Sequence, residues 1–221
     1  MNRRIFVVGY GENYANWMEG EIVEDIDKAD LVVFTGGEDV SPSLYNENKN
    51  PHTYCNMERD KFEMDFFYSA KNRGIPMVGI CRGSQFLCVM NGGKLVQDQP
   101  NNSFHHDMNT YDGNTLNITS THHQAQWPYN LPKDEYHILG WTENYLGFHR
   151  DGNSNELDCP KECEIVFYSK NNCLGIQGHP EMMSMDRDED SLKWLKELLN
   201  KFLEGTLMQD IVDNKCEISV E

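Results

Sequence analysis

The chain is short of positive charge. Its 221 residues carry 19 Lys and Arg against 36 Asp and Glu, a formal net charge of −17. So acidic a chain repels phosphate backbones, and direct nucleic-acid binding would need a local basic patch. None is present: Arg3-Arg4 is small, and the lysines from Lys193 to Lys201 are interleaved with acids. The charge suits a soluble protein or one that docks on a basic partner. Long apolar runs are missing too, and none approaches the length of a membrane span. No signal peptide is expected, because Asn2-Arg3-Arg4 leads straight into a short strand. The seven cysteines are odd in number and scattered, which argues against a disulfide framework and fits a reducing, cytoplasmic setting. Cys159 and Cys163 lie four apart beside Pro160, but a zinc site would want a second such pair and only Cys173 is near. Internal repeats and low-complexity segments are absent.

What is present is a globular composition, 38% hydrophobic and 25% charged. The length suggests one domain, taken as residues 1–205, followed by a loosely held tail over 206–221. Arg4 to Gly9 and Leu31 to Phe34 read as strands. The unbroken apolar run of the second is the habit of parallel sheets buried on both faces. Between them Tyr14 to Ile26 is poorly patterned, with room for a short helix. Phe62, Phe66, Phe67 and Ala70 recur at helical spacing within Glu58 to Asn72, and Gly74-Ile75-Pro76 ends that helix. Lys94 to Gln97 is a short strand. From Pro100 to Asp158 the chain turns polar, with short strands over Thr115 to Thr119 and His137 to Trp141 and a weaker one over Tyr145 to His149. Glu164 to Ser169 and Cys173 to Gln177 form a hairpin around Lys170-Asn171-Asn172. Asp188 to Leu203 is the best amphipathic helix. Alternating strands and helices in the first half predict a parallel α/β sheet, a flavodoxin-like three-layer sandwich, with antiparallel strands added at one edge by the second half.

Met77 to Ile80 is a further apolar strand, and it stops at Gly79-Ile80-Cys81-Arg82-Gly83 before a helical run. Glycines on both sides of the cysteine suit a sharp strand-to-helix turn, the cysteine form of a nucleophile elbow. There the unpaired N–H groups and dipole of the helix favour a thiolate at Cys81. Gly36-Gly37 and His179 also fall just past strand ends, and ligands of such sheets bind at the carboxyl ends of the strands. A thiol nucleophile needs a base, and the base an orienting group. His179 suits the first role. Glu181, two residues on, can accept an imidazole N–H and fix the tautomer. Cysteine attack on an amide creates an oxyanion that two backbone N–H groups should meet, one from Arg82 and one from Gly36 or Gly37. Losing one such donor typically costs about 3 kcal/mol of transition-state stabilisation.

Gly79-Ile-Cys81-Arg-Gly-Ser-Gln85 together with Gly178-His179-Pro-Glu181 resembles the class I glutamine amidotransferase superfamily, in the right order and from about Leu31 to Met182. Gly36-Gly37-Glu-Asp39-Val-Ser-Pro42-Ser-Leu-Tyr45 resembles a loop of its γ-glutamyl hydrolase-like branch, the γ-glutamyl-γ-aminobutyrate hydrolases. Arg59-Asp-Lys-Phe-Glu63, Gln97-Asp98 and Ser120-Thr-His122-His123-Gln124 are similar to segments of that branch too. The resemblance implies a Cys81–His179–Glu181 triad with Gly37 and Arg82 as oxyanion donors. It places Gly36, Gln85, Ser120 and His122 near a γ-glutamyl group, and matches His105-His106 to a histidine-bearing segment. It implies cleavage of glutamine or a small γ-glutamyl amine through a thioester, with no metal and no organic cofactor.

Two alternatives stand beside that reading. One is a glutaminase subunit supplying ammonia to a separate synthetase partner. The other is a non-catalytic binding protein on the same fold, which an intact triad argues against. Grouping His105, His106, Asp107, His122 and His123 as metal ligands matches no known spacing. The stretch before Leu31 is shorter than the full helix and strand usual in the branch, and Asp151 to Glu156 follows the branch's pattern loosely.

Overall fold

The computed structural model describes residues 3–9, 11–100, 105–142 and 147–218, the side chains of 215–218 excepted. The parallel half of the sheet is built from β1 (Arg3–Val8), β2 (Gly20–Ile22), β3 (Leu31–Phe34), β4 (Met77–Ile80) and β11 (Cys173–Ile176), in the order β2-β1-β3-β4-β11. The expected hairpin of β10 (Glu162–Tyr168) and β11 turns the sheet antiparallel, with Ile165 opposite Ile176 and Tyr168 opposite Cys173. Beyond β10 come β9 (Tyr136–Thr142), β6 (His105–Thr110) and β7 (Thr115–Thr119). The short strands β5 (Lys94–Val96) and β8 (Ala125–Trp127) pair with each other, and β8 also with β10.

Side chains alternate across a strand, and this divides the core into two layers. Val33, Val78, Ile80, Leu174 and Ile176 meet α1 (Glu12–Trp17), α4 (Met185–Leu203) and α5 (Leu207–Ile218) on one face. Val32, Phe34 and Met77 meet α2 (Met57–Arg73) and α3 (Arg82–Met90) on the other. Each buried strand is therefore apolar throughout, as the run Leu31 to Phe34 predicts.

The elements expected from periodicity recur within a few residues of their expected bounds, and three strands are additional. β2 is three residues long and largely exposed, so it carries no apolar signal; with α1 it forms a compressed helix-and-strand unit before β3. β6 reads His-His-Asp-Met-Asn-Thr and buries only Met108 and Thr110. β8 is Ala-Gln-Trp. Both are held by backbone pairing, without the alternation that would mark them in sequence. The strand expected over Tyr145 to His149 begins at residues that lie outside the described set. Where a loose tail was expected from residue 206, α5 follows Gly205 and buries Leu207 and Ile211 against the α4 side of the core. Among the described residues no helix is long and apolar enough to cross a membrane.

Leu199 is fully buried in α4, whereas Lys193 is exposed on the same helix and paired only with Glu189. Leu199→Ala is expected to lower stability by about 2–5 kcal/mol in a urea titration. Lys193→Ala should stay within about 0.5 kcal/mol of the parent.

Candidate active site

Cys81 joins β4 to α3 in a conformation that few residues with a side chain adopt, φ +52° and ψ −111°. Strain of this kind persists where the surroundings enforce it, and here they do. The Cys81 N–H donates to the Ile176 carbonyl at 2.8 Å. Its own carbonyl accepts the Ser84 hydroxyl at 2.7 Å and the Ser84 N–H at 3.0 Å. Both flanking glycines are required by space. A Cβ on Gly79 would stand 2.2 Å from the Gly83 carbonyl oxygen, and one on Gly83 would stand 2.1 Å from that of Phe34.

His179 follows β11, in parallel register beside β4, so the same sheet edge delivers both residues. Its backbone is clamped by one side chain of β7. The His179 N–H donates to Thr119 Oγ1 at 2.9 Å, and the Thr119 hydroxyl donates to the His179 carbonyl at 3.0 Å. The His179 Nδ1 lies 2.7 Å from Glu181 Oε1, both side chains being nearly buried. Its Nε2 is buried and makes no other hydrogen bond of normal geometry, which leaves it for Cys81. Burial works against a charged ring, but the Cys81 sulfur and the Glu181 carboxylate outweigh it and raise the His179 pKa to about 10.

The glycine loop after β3 is held at both ends of one residue. The Gly36 N–H donates to Tyr14 Oη at 3.2 Å, and Arg59 Nη2 donates to the Gly36 carbonyl at 2.8 Å. A trans peptide sets its C=O and N–H on opposite sides, so Arg59 directs the Gly37 N–H away from itself. Gly37 lies on the cavity wall with Cys81. Gly37 has φ +143°, and a Cβ there would fall 2.1 Å from Arg59 Nη1, so a side chain and this clamp are incompatible. Arg59 is fixed in turn by Glu38 at 2.6 Å and Glu63 at 2.9 Å. The other Glu63 oxygen binds Arg82 Nη1, and Asp60 binds Arg82 Nη2. Arg82 therefore turns its side chain into the core, over Phe86, while its backbone opens α3 beside Cys81. Tyr14 was not singled out in the sequence; its one signal was a place just beyond the carboxyl end of β1.

Gly37, Cys81, Gln85, His122 and His179 line one cavity of about 330 Å³ with Asp39. The Gln85 amide donates to the Gln124 carbonyl at 2.9 Å. Gly36 borders a neighbouring cavity instead, yet a Cβ on it would be 3.3 Å from His179 Cε1 and 3.7 Å from Cys81 Cβ. Ser120 is buried and is not on the wall; Thr121 is. The five grouped as metal ligands are not gathered at one point: His123 faces Asp39 at 3.3 Å and His106 faces Glu164 at 2.8 Å. Cys159 and Cys163 both donate to the Lys161 carbonyl, at 3.3 and 3.6 Å, and burial raises both thiols.

The His179 ring should hold its proton to about pH 10 when followed by NMR. Cys81→Ala and Glu181→Gln each remove an interaction that favours the charged ring while burial remains, so each should move the titration to lower pH. A titration unmoved by either change would contradict this account of the site.

The arrangement matches what the comparisons with known proteins find. Residues 15–131 match the model of the family described as Peptidase C26. The NtpR protein of Enterococcus hirae is 28% identical over 183 residues, covering 75% of this chain and 72% of that protein. The YvdE homolog of Lactococcus lactis subsp. cremoris, named as a glutamine amidotransferase-like protein, is 44% identical over 136 residues, 54% of this chain and 61% of its own. Among solved structures, PurLQS from Thermotoga maritima superposes with a TM-score of 0.59 at 19% identity, over 90% of this chain and 99% of the matched one, a likeness of fold. The family match spans more than half of the sequence, and the chain belongs to Peptidase C26, within the glutamine amidotransferase class I superfamily.

Proposed function

We propose that this protein hydrolyses γ-glutamyl amide bonds, in glutamine or a small γ-glutamyl amine, through a thioester on Cys81. The observation that carries the reading is the meeting in one cavity of a strained Cys81, a His179 held by Glu181 at 2.7 Å, and a Gly37 peptide oriented by Arg59. Family membership supports an amidohydrolase in general, and the sheet-edge geometry supports this particular one.

In the proposed reaction the Cys81 sulfur adds to the γ-carbonyl carbon. The negative oxygen turns to the N–H groups of Gly37 and Arg82. His179 gives its proton to the leaving nitrogen as the C–N bond breaks, and ammonia or an amine departs. The remaining thioester is attacked by a water whose proton passes to His179. The C–S bond then breaks, releasing glutamate and restoring the sulfur. Glu181 holds the ring in one tautomer throughout. Glu38 and Asp39 on the wall supply negative charge suited to the α-ammonium of a glutamyl head.

A second reading, a glutaminase that passes ammonia to a separate synthetase, is favoured by the surface behind Glu181. There Trp17, Pro180, Met183 and Met185 line a second hollow, and Met182 and Met185 are about half exposed. Exposed methionines suit an adaptable protein contact.

Glutamate release from glutamine and from a panel of γ-glutamyl amines separates these readings. Rapid turnover of one amine by the chain alone, lost in Cys81→Ala, supports the hydrolase. Slow turnover of glutamine alone favours the partnered enzyme, and no release together with an unlabelled Cys81 would sink both. Arg59→Ala should lower turnover by up to about 100-fold, the worth of one oxyanion donor, while Cys81 alkylation by iodoacetamide keeps its rate.

A further inference from the structure

Behind the His122 wall of the cavity lies a cluster that the proposed reaction does not use. Glu162 and Glu164 are two residues apart on β10, and so share a face of the strand. Both are buried, at 2% and 0% exposure, and His122, on the segment between β7 and β8, is buried beside them. One donor atom from each of the three lies within 4.8 Å of the others. Two carboxylates on one buried face are costly unless something positive completes them.

We propose that His122, Glu162 and Glu164 hold a divalent transition-metal ion of the zinc class, which secures the wall of the Cys81 cavity. The ring of His122 is set for it. His122 Nδ1 stands 2.8 Å from the Gln124 carbonyl. A carbonyl only accepts, so Nδ1 carries the proton and Nε2 the lone pair. Metal-binding imidazoles are oriented in this way by a backbone carbonyl on the other nitrogen. The carboxylates are oriented too. Glu164 Oε1 lies 2.8 Å from His106 Nε2, and Glu162 Oε1 accepts from Gln99 Nε2 at 2.8 Å. His149 Nε2 is 3.2 Å from Glu162 Oε2.

An independent observation points to a ligand: Glu164 Oε2 is buried and has no hydrogen-bond partner. A buried carboxylate oxygen without a donor calls for an explanation, and a cation supplies one. One imidazole and two carboxylates form a donor set for zinc and its neighbours. The ion would be structural. Cys81 and His179 face the cavity from the sheet edge, and His122 and Gln124 carry its influence to the same wall.

The test uses the full chain. Metal content is measured on protein purified without chelator, and Co²⁺ and Zn²⁺ are titrated into Cys81→Ala, which removes the cavity thiol. The proposal expects stoichiometric binding, visible cobalt bands without thiolate charge-transfer absorption, and a thermal midpoint that climbs with free zinc. Glu164→Gln should weaken binding about tenfold or more. Should that variant fail to fold, anomalous diffraction at the zinc edge from wild-type crystals decides the matter. A peak between His122, Glu162 and Glu164 supports the site. The proposal is overturned by substoichiometric metal, by equal affinity in a folded Glu164→Gln, by thiolate absorption, or by a peak elsewhere. None of these readouts depends on whether γ-glutamyl amides are turned over.

Discussion

The buried ion network of Arg82, Asp60, Glu63 and Arg59 is the constraint on which the rest of the site depends. It joins two pieces of chain with no covalent reason to be neighbours, the elbow after β4 and the glycine loop after β3, through one face of α2. Charge is balanced within it, two guanidinium groups against two carboxylates, as burial at this depth demands. Its geometry is also directional. Arg82 anchors the residue whose N–H opens α3, and Arg59 fixes the peptide whose N–H opposes it. Asp60 extends the network by accepting the Ser41 N–H at 3.1 Å, so the chain leaving the glycine loop is held as well.

Around that network the sheet supplies position and the glycines supply room. β3, β4 and β11 lie in parallel register and end together, so short excursions from each suffice to bring Gly37, Cys81 and His179 to one cavity. Gly83 lets α3 approach the Phe34 backbone, and Gly178 lets the His179 segment pass Ile118 and Thr119, where a Cβ would meet atoms at 2.5 to 2.7 Å. The two glycines do the same thing on opposite sides of the site: each removes the one carbon that would hold neighbouring segments apart.

Much of this was legible in the sequence because it is written in local pattern. Unbroken apolar runs marked β3 and β4, helical spacing marked α2 and α4, and Gly-x-Cys-x-Gly marked the elbow. What escaped was carried by long-range pairing or by polar side chains turned inward. β6 has almost no apolar content, and Tyr14 sits in a stretch without periodicity. Glu162 and Glu164 look like ordinary surface acids until β10 is placed in the middle of the sheet. Ser120 was expected near the substrate on family likeness, and it is its neighbour Thr121 that lines the wall. Arg82 was expected for its N–H alone; that its side chain is the buried end of the network follows from tertiary placement, which no spacing rule reports.

The Thr119 clamp on His179 bears on how the molecule is made. The Cys81 turn is local, complete within β4 and α3 apart from one bond to Ile176. The His179 backbone, by contrast, is fixed by a residue 60 positions away in a strand that needs β6 and β9 beside it. Contacts of such sequence separation form late, because the intervening loop must close before they return any free energy. A nascent chain would thus carry its thiol well before it carries a positioned imidazole. Competence to react arrives as the last step of assembly, and partly folded chains in the cell are spared a fully armed nucleophile.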